Sequence, residues 1–195
     1  MITMAKKNEF RPDKPYSGFL NKLYLTQKQR KSVLKWFLYA MVLLVLSVLQ
    51  DVVLCNVRLF GATTDLVPCG IFLICLMEGV EKGALFALIS ALAFLFSGSA
   101  PGPITLVFIT GISVGVCLFR QSYLQKGFFA AMLCTAAAVI LYELAVFAIN
   151  LFLGLTLLPR LMGFGITAGL SILAAPVLYP VVSAISAIGG DSWKE

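Results

Sequence analysis

Residues 128–153 read FFAAMLCTAAAVILYELAVFAINLFL, twenty-six positions with a single charge, Glu143. A helix needs roughly 20 apolar residues to cross the hydrocarbon core of a bilayer, so this stretch is long enough to cross with some tilt. Composition rules out a buried helix in a water-soluble globule. Of the 195 residues, 60% are hydrophobic and 12% charged, whereas a soluble domain has about 45–50% and about 25%. Too little polar surface remains to wrap a globule in water, and a bilayer removes that need. The fold class expected is an all-α polytopic membrane protein, a bundle of about six transmembrane helices.

Working outward from that stretch, Gly127 and Lys126 separate it from an earlier apolar run, 104–119, which ends at Arg120. Before this run lies Ser97-Gly98-Ser99-Ala100-Pro101-Gly102-Pro103, whose Gly and Pro residues break a helix. A third span is expected at 83–96. A short second one is expected at 65–77, kinked by Pro68 and Gly70. These two could also form a re-entrant pair. The first span, 36–54, opens on Trp36 and Tyr39, which read as an aromatic belt at the water boundary. Toward the C-terminus, Pro159 and Arg160 mark a loop. The last span, 161–188, carries Pro176 and Pro180 as expected bends and stops at Gly189-Gly190. The chain thus divides into a basic tail 1–35, a bundle 36–190 and a short polar tail 191–195. Within the basic tail, residues 16–26 read as an interfacial helix or a loose aromatic segment. Thr26 with Gln29 reads as a capping box.

Nine of the fifteen basic residues precede the first span. With the N-terminus inside and six crossings, Lys82, Arg120, Lys126 and Lys194 join them, leaving only Arg58 and Arg160 outside. The positive-inside rule favours that orientation, with both termini cytoplasmic. No folded basic domain accompanies the charge, so nucleic acid is not an expected partner. The N-terminal thirty-five residues are too polar for a secretory signal peptide. The five cysteines form no CxxC pair and most lie in apolar runs, where cysteine acts as a small hydrophobe. With no histidine in the chain, no metal site or cofactor is expected.

Several residues stand out against this background. Gly111 with Gly115, and Gly165 with Gly169, make GxxxG pairs, the spacing that lets helix backbones approach in lipid. They read either as internal packing or as a docking face for another membrane protein. Gly83, Ala87 and Ala91 form a similar stripe. Glu143 is an intramembrane carboxyl, which costs at least about 2.5–3.5 kcal/mol when ionised at mid-bilayer. It is expected to be protonated, or to face inward onto hydroxyl or backbone partners. Asp51 and Asp65 flank the first outer loop as a solvated boundary, with Asp65 placed to cap the second span. No GxSxG elbow, P-loop or paired carboxylate at fixed spacing is present, and no enzyme is expected.

From Leu59 to Gly115 the order of features resembles the rod shape-determining protein MreD family. The matching residues are Leu59-Phe60-Gly61, then Asp65-Leu66, then Glu78-Gly79 and Gly83-Ala84-Leu85. Ser97, Gly98 and Gly102 follow, then Gly111 and Gly115. Phe94 departs from the pattern, standing where the family often has an acid. The resemblance implies a non-enzymatic subunit of the bacterial cell-wall elongation complex in the cell membrane. Its expected partners are MreC, MreB, and the glycosyltransferase and transpeptidase that build peptidoglycan. The competing expectation is the substrate-binding membrane subunit of an energy-coupling-factor vitamin transporter, which needs a pocket of convergent polar groups.

Overall fold

The apolar runs form helices, and among the described residues there is no strand. The structure is a computed structural model and describes residues 27–54, 64–98, 100–123 and 127–188. Six α-helices follow in order: α1 Gln27–Val48, α2 Leu66–Glu78, α3 Val80–Phe96, α4 Ile104–Tyr123, α5 Phe128–Phe152 and α6 Leu161–Ile188. A π-helical turn, Leu49–Leu54, extends α1, and a 3-10 turn, Leu158–Arg160, leads into α6. The regions of α1, α4, α5 and α6 are long and apolar enough to cross a membrane, while α2 and α3 are shorter. The chain is an all-α, multi-pass membrane bundle. The capping box, the 16–26 segment, Arg58, Leu59-Phe60-Gly61, Ser99, Lys126 and the C-terminal tail lie outside the described residues.

The organising element is α2. All thirteen of its residues are buried, and it packs against each of the other five helices. Around it α3, α4, α5, α6 and α1 follow one another, each packed on the next. A cleft of about 340 Å³ lies between α1 and α3, with Val67 of α2 in its wall. Phe94, where the resemblance leads one to look for an acid, also lines this cleft and is buried. The outer surface is apolar: Phe37, Leu85, Phe129, Leu133, Leu173 and Val177 are all more than half exposed. Water would not tolerate so continuous an apolar surface, but hydrocarbon does.

Close packing on α2 relies on small residues. A side chain at Gly83 would meet the Cys75 carbonyl oxygen at 3.0 Å and its Cα at 3.2 Å. Ala87 and Ala91 continue this buried face of α3, so the small-residue stripe is internal packing. Gly70 plays the same part on α2, against Leu46 of α1. Four of the cysteines are free and buried, as small hydrophobes are, and the Cys117 thiol donates to the Cys75 carbonyl.

Three expectations need correction. Pro68 does not kink α2, because it is the third residue of the helix, where its missing N–H has no intrahelical partner to lose. Tyr39 does not join Trp36 in a lipid-facing belt. Tyr39 is wholly buried, and the two rings pack with each other and with Phe86 of α3. The GxxxG pairs are not internal packing, since a Cβ at Gly111, Gly115, Gly165 or Gly169 would meet nothing within 4 Å.

The contrast between these glycines is measurable. Gly83→Val forces a side chain into fixed backbone and is expected to cost about 1–3 kcal/mol. Gly111→Ala enters open space and is expected to stay within about 0.5 kcal/mol. Thermal unfolding of the purified variants in detergent should separate them, and equal midpoints would contradict the packing of α3 on α2.

Candidate functional site

A helix of thirteen residues is about 20 Å long, against about 30 Å of bilayer hydrocarbon. The ends of α2 therefore cannot both reach water, and their polar groups must find partners inside the bundle. Buried polar side chains gather at both ends.

At the C-terminal end, the Glu78 carboxylate accepts from the Tyr39 hydroxyl at 2.7 Å and pairs with Lys35 Nζ at 2.6 Å. Both charged side chains are less than a tenth exposed. Gly79 then turns the chain directly into α3 with φ +89°, a conformation that L side chains rarely adopt. The guanidinium of Arg120 lies over this turn, 3.6 Å from where a Gly79 Cβ would be. In the sequence Glu78 is a turn residue and Lys35 one more cation in the leader. Nothing in their spacing signals a buried pair.

At the N-terminal end, two backbone donors are met by side chains from other helices. The Val67 N–H donates to Gln50 Oε1 at 3.1 Å, and the Asp65 N–H donates to Ser171 Oγ at 2.9 Å. Ser171 in turn donates to the Thr167 carbonyl at 2.8 Å. Gln50 sits on the π-helical turn after α1 and is buried there, while Asp51 beside it points outward and accepts from Ser47 at 3.4 Å. Asp65 occupies the N-cap position of α2 but its side chain makes no capping bond, so the expected cap is replaced by Gln50 and Ser171.

The Asp65 carboxyl, free of any capping bond, lies against that of Glu143, which reaches across from near the middle of α5. Two ionised carboxylates have no donor between them, so such a contact requires a proton on one of the two. Glu143 faces inward as expected and is only 4% exposed, but its partner is a carboxyl rather than a hydroxyl or a carbonyl. Its Oε1 is buried with no hydrogen-bond partner. The adjacent Tyr142, also buried, packs its ring edge-on against Phe72 of α2, and its hydroxyl, like that of Thr105 on α4, is buried with no hydrogen-bond partner.

Five segments thus converge on one end of α2, joining Gln50, Asp65, Thr105, Tyr142, Glu143 and Ser171. Of the residues singled out in the sequence, Asp65 and Glu143 are brought together here. Ser97, Gly98 and Gly102 build a turn instead. Ser97 Oγ donates to the Phe94 carbonyl at 2.8 Å, Gly98 takes φ +79° to end α3, and the Gly102 carbonyl accepts from Thr105 N. Gly111 and Gly115 line an open groove of about 440 Å³ between α4 and α5, and Gly165 and Gly169 line another between α5 and α6. No group of three His, Cys, Asp or Glu side chains that could hold a metal occurs among the described residues.

In comparisons with known proteins, no family model, no curated protein and no solved structure matches this chain.

The two ends yield separate expectations for thermal unfolding in detergent. Lys35→Ala leaves Glu78 buried without its cation and should cost about 3–5 kcal/mol, with the Lys35→Met, Glu78→Leu double variant less affected. Glu143→Gln keeps an N–H donor for Asp65 and should unfold close to the wild type. Glu143→Leu removes it and should lose about 1–3 kcal/mol. Equal midpoints for the two Glu143 variants would show that the carboxyls do not support each other.

Proposed function

We propose that the chain is a non-enzymatic membrane subunit of the bacterial cell-wall elongation complex, holding MreC and the peptidoglycan synthases together to regulate cell shape. The observation that carries this reading is the ordered set of motifs from Leu59 to Gly115 that resembles the MreD family. Further support comes from the outer surface. A scaffold in lipid binds by presenting helix faces, and both GxxxG pairs lie open on grooves between neighbouring helices. On this reading the N-terminus faces the cytoplasm, because Lys35, Lys82 and Arg120 lie at the same end of the bundle as the start of α1 and Arg160 at the other. The basic leader then lies where it can touch MreB or anionic lipid.

One observation favours the second reading, a substrate-binding subunit of a vitamin transporter. The polar residues that look scattered in the sequence converge at the N-terminal end of α2, as a ligand pocket requires. Against it, much of this polar set is used within the bundle: Gln50 and Ser171 accept from the α2 backbone, and Asp65 meets Glu143.

Depletion in the native rod-shaped cell tests the choice. Rounding of the cells, with copurification of MreC, is the expected result. A nutrient requirement without a change of shape, or tight vitamin binding by the purified protein, would establish the transporter instead.

A further inference from the structure

The helices around α2 form a series from α3 through α4, α5 and α6 to α1, and its two end members, α1 and α3, are not packed along their length. They meet at one level, where Trp36 and Tyr39 of α1 hold Phe86 of α3. Beyond that cluster lies the cleft of about 340 Å³, between Ala40 and Val48 on α1 and between Phe86 and Phe94 on α3, with Val67 of α2 as its floor. Leu44, Val48 and Ile89 are more than half exposed at its lips, so it opens to lipid. Its lining is apolar apart from the hydroxyls of Ser47 and Ser90.

Size limits what can enter. From Ala40 to Val48 α1 rises about 12 Å, and a helix about 10 Å across would need roughly 900 Å³ over that length. The cleft offers well under half of this, enough for a single unbranched hydrocarbon chain. The end of the cleft nearer the start of α1 carries cations. Lys82 is exposed and precedes Phe86, Ile89, Ser90 and Ala93 at helical spacing, so it stands on the face of α3 that lines the cleft. The adjacent acid, Glu81, falls with Leu85 and Leu88 on the neighbouring face. Arg30 and Lys31, also exposed, lie near the start of α1 at the same end. Along α3, Lys82 stands about 18 Å from Phe94 at the far end of the cleft. One leaflet's acyl chains span roughly 15 Å, half of the hydrocarbon core. A lipid whose chain lies in the cleft therefore brings its phosphate to the level of Lys82.

We infer that the cleft between α1 and α3 binds one acyl chain of an anionic phospholipid, whose headgroup is held at Lys82 with support from Arg30 and Lys31. The width of the cleft selects a chain over a helix, and the cations at its mouth select net negative charge. The long Lys82 stem lies along the apolar surface while its ammonium reaches the headgroup level. The site is independent of both functional readings, since a scaffold and a transporter would hold such a lipid alike.

The test uses the full chain in phosphatidylcholine vesicles, with Trp193→Phe leaving Trp36 as the sole tryptophan beside the mouth of the cleft. Phosphatidylglycerol brominated in the upper part of its acyl chains is added, and quenching of Trp36 fluorescence is compared with that by phosphatidylcholine brominated in the same way. Half-maximal quenching is expected at about fivefold lower mole fraction for the phosphatidylglycerol. Lys82→Gln should reduce that preference to less than about twofold. Ala40→Phe with Ala93→Phe fills the cleft from its exposed lips and should remove the preference while the thermal midpoint stays near that of the parent chain. Equal quenching by the two lipids would overturn the assignment. A preference that survives Lys82→Gln would also overturn it, as diffuse attraction to the basic leader. One that survives filling of the cleft would show that the headgroup is held without a chain in the cleft, and would overturn it too. Energy transfer between labelled copies that is lost on filling the cleft, with no lipid preference, would assign the cleft to a second copy instead. Failure here leaves the cell-shape experiment untouched, and unchanged cell shape leaves this one untouched.

Discussion

The fold depends on one constraint: a helix too short to cross the bilayer lies at its centre. At about 20 Å, α2 cannot bring both ends to water. Backbone groups at a helix end cannot be left bare in hydrocarbon. The surrounding helices must therefore carry polar side chains at the two depths where α2 starts and stops. This accounts for the position of Gln50, Ser171, Lys35 and Tyr39 within otherwise apolar helices. It also accounts for the complete burial of α2, since no part of it needs to meet lipid.

The two ends of α2 are satisfied to different degrees. At Glu78 a carboxylate, an ammonium and a phenol hydroxyl close on one another beside a packed aromatic cluster. At Asp65 the backbone donors are met, but the two carboxyls lie against each other, and Glu143 Oε1 is buried with no hydrogen-bond partner. A pair of like groups holds together only through a shared proton, which makes this the less settled of the two. Glu143 is also among the residues that line the outer groove between α5 and α6.

Packing on α2 and the state of the outer surface follow opposite rules. Toward α2, small residues are filled against: Gly83 touches backbone, and Gly70 touches Leu46. Away from it, the GxxxG pairs face empty grooves. In lipid no hydrophobic force favours closing these grooves from within, because acyl chains are as apolar as the side chains. Glycines at helical spacing therefore mark close approach only where a neighbouring helix is held by other contacts.

Length, composition and the long apolar runs were enough to establish an all-α membrane bundle. The ends of α4, α5 and α6 were legible to within a few residues, because hydropathy and Gly/Pro breakers act locally along the chain. Ser97-Gly98 was legible as a stop for the same reason. The inward orientation of Glu143 followed from the cost of a carboxyl in hydrocarbon. Its pairing with Asp65, seventy-eight positions earlier, did not, and neither did the ion pair of Lys35 with Glu78. Those contacts depend on which helices surround α2 and at what depth it begins. Sequence periodicity carries no information about either, because in a bilayer apolar residues line every face of a helix, both those that pack and those that meet lipid.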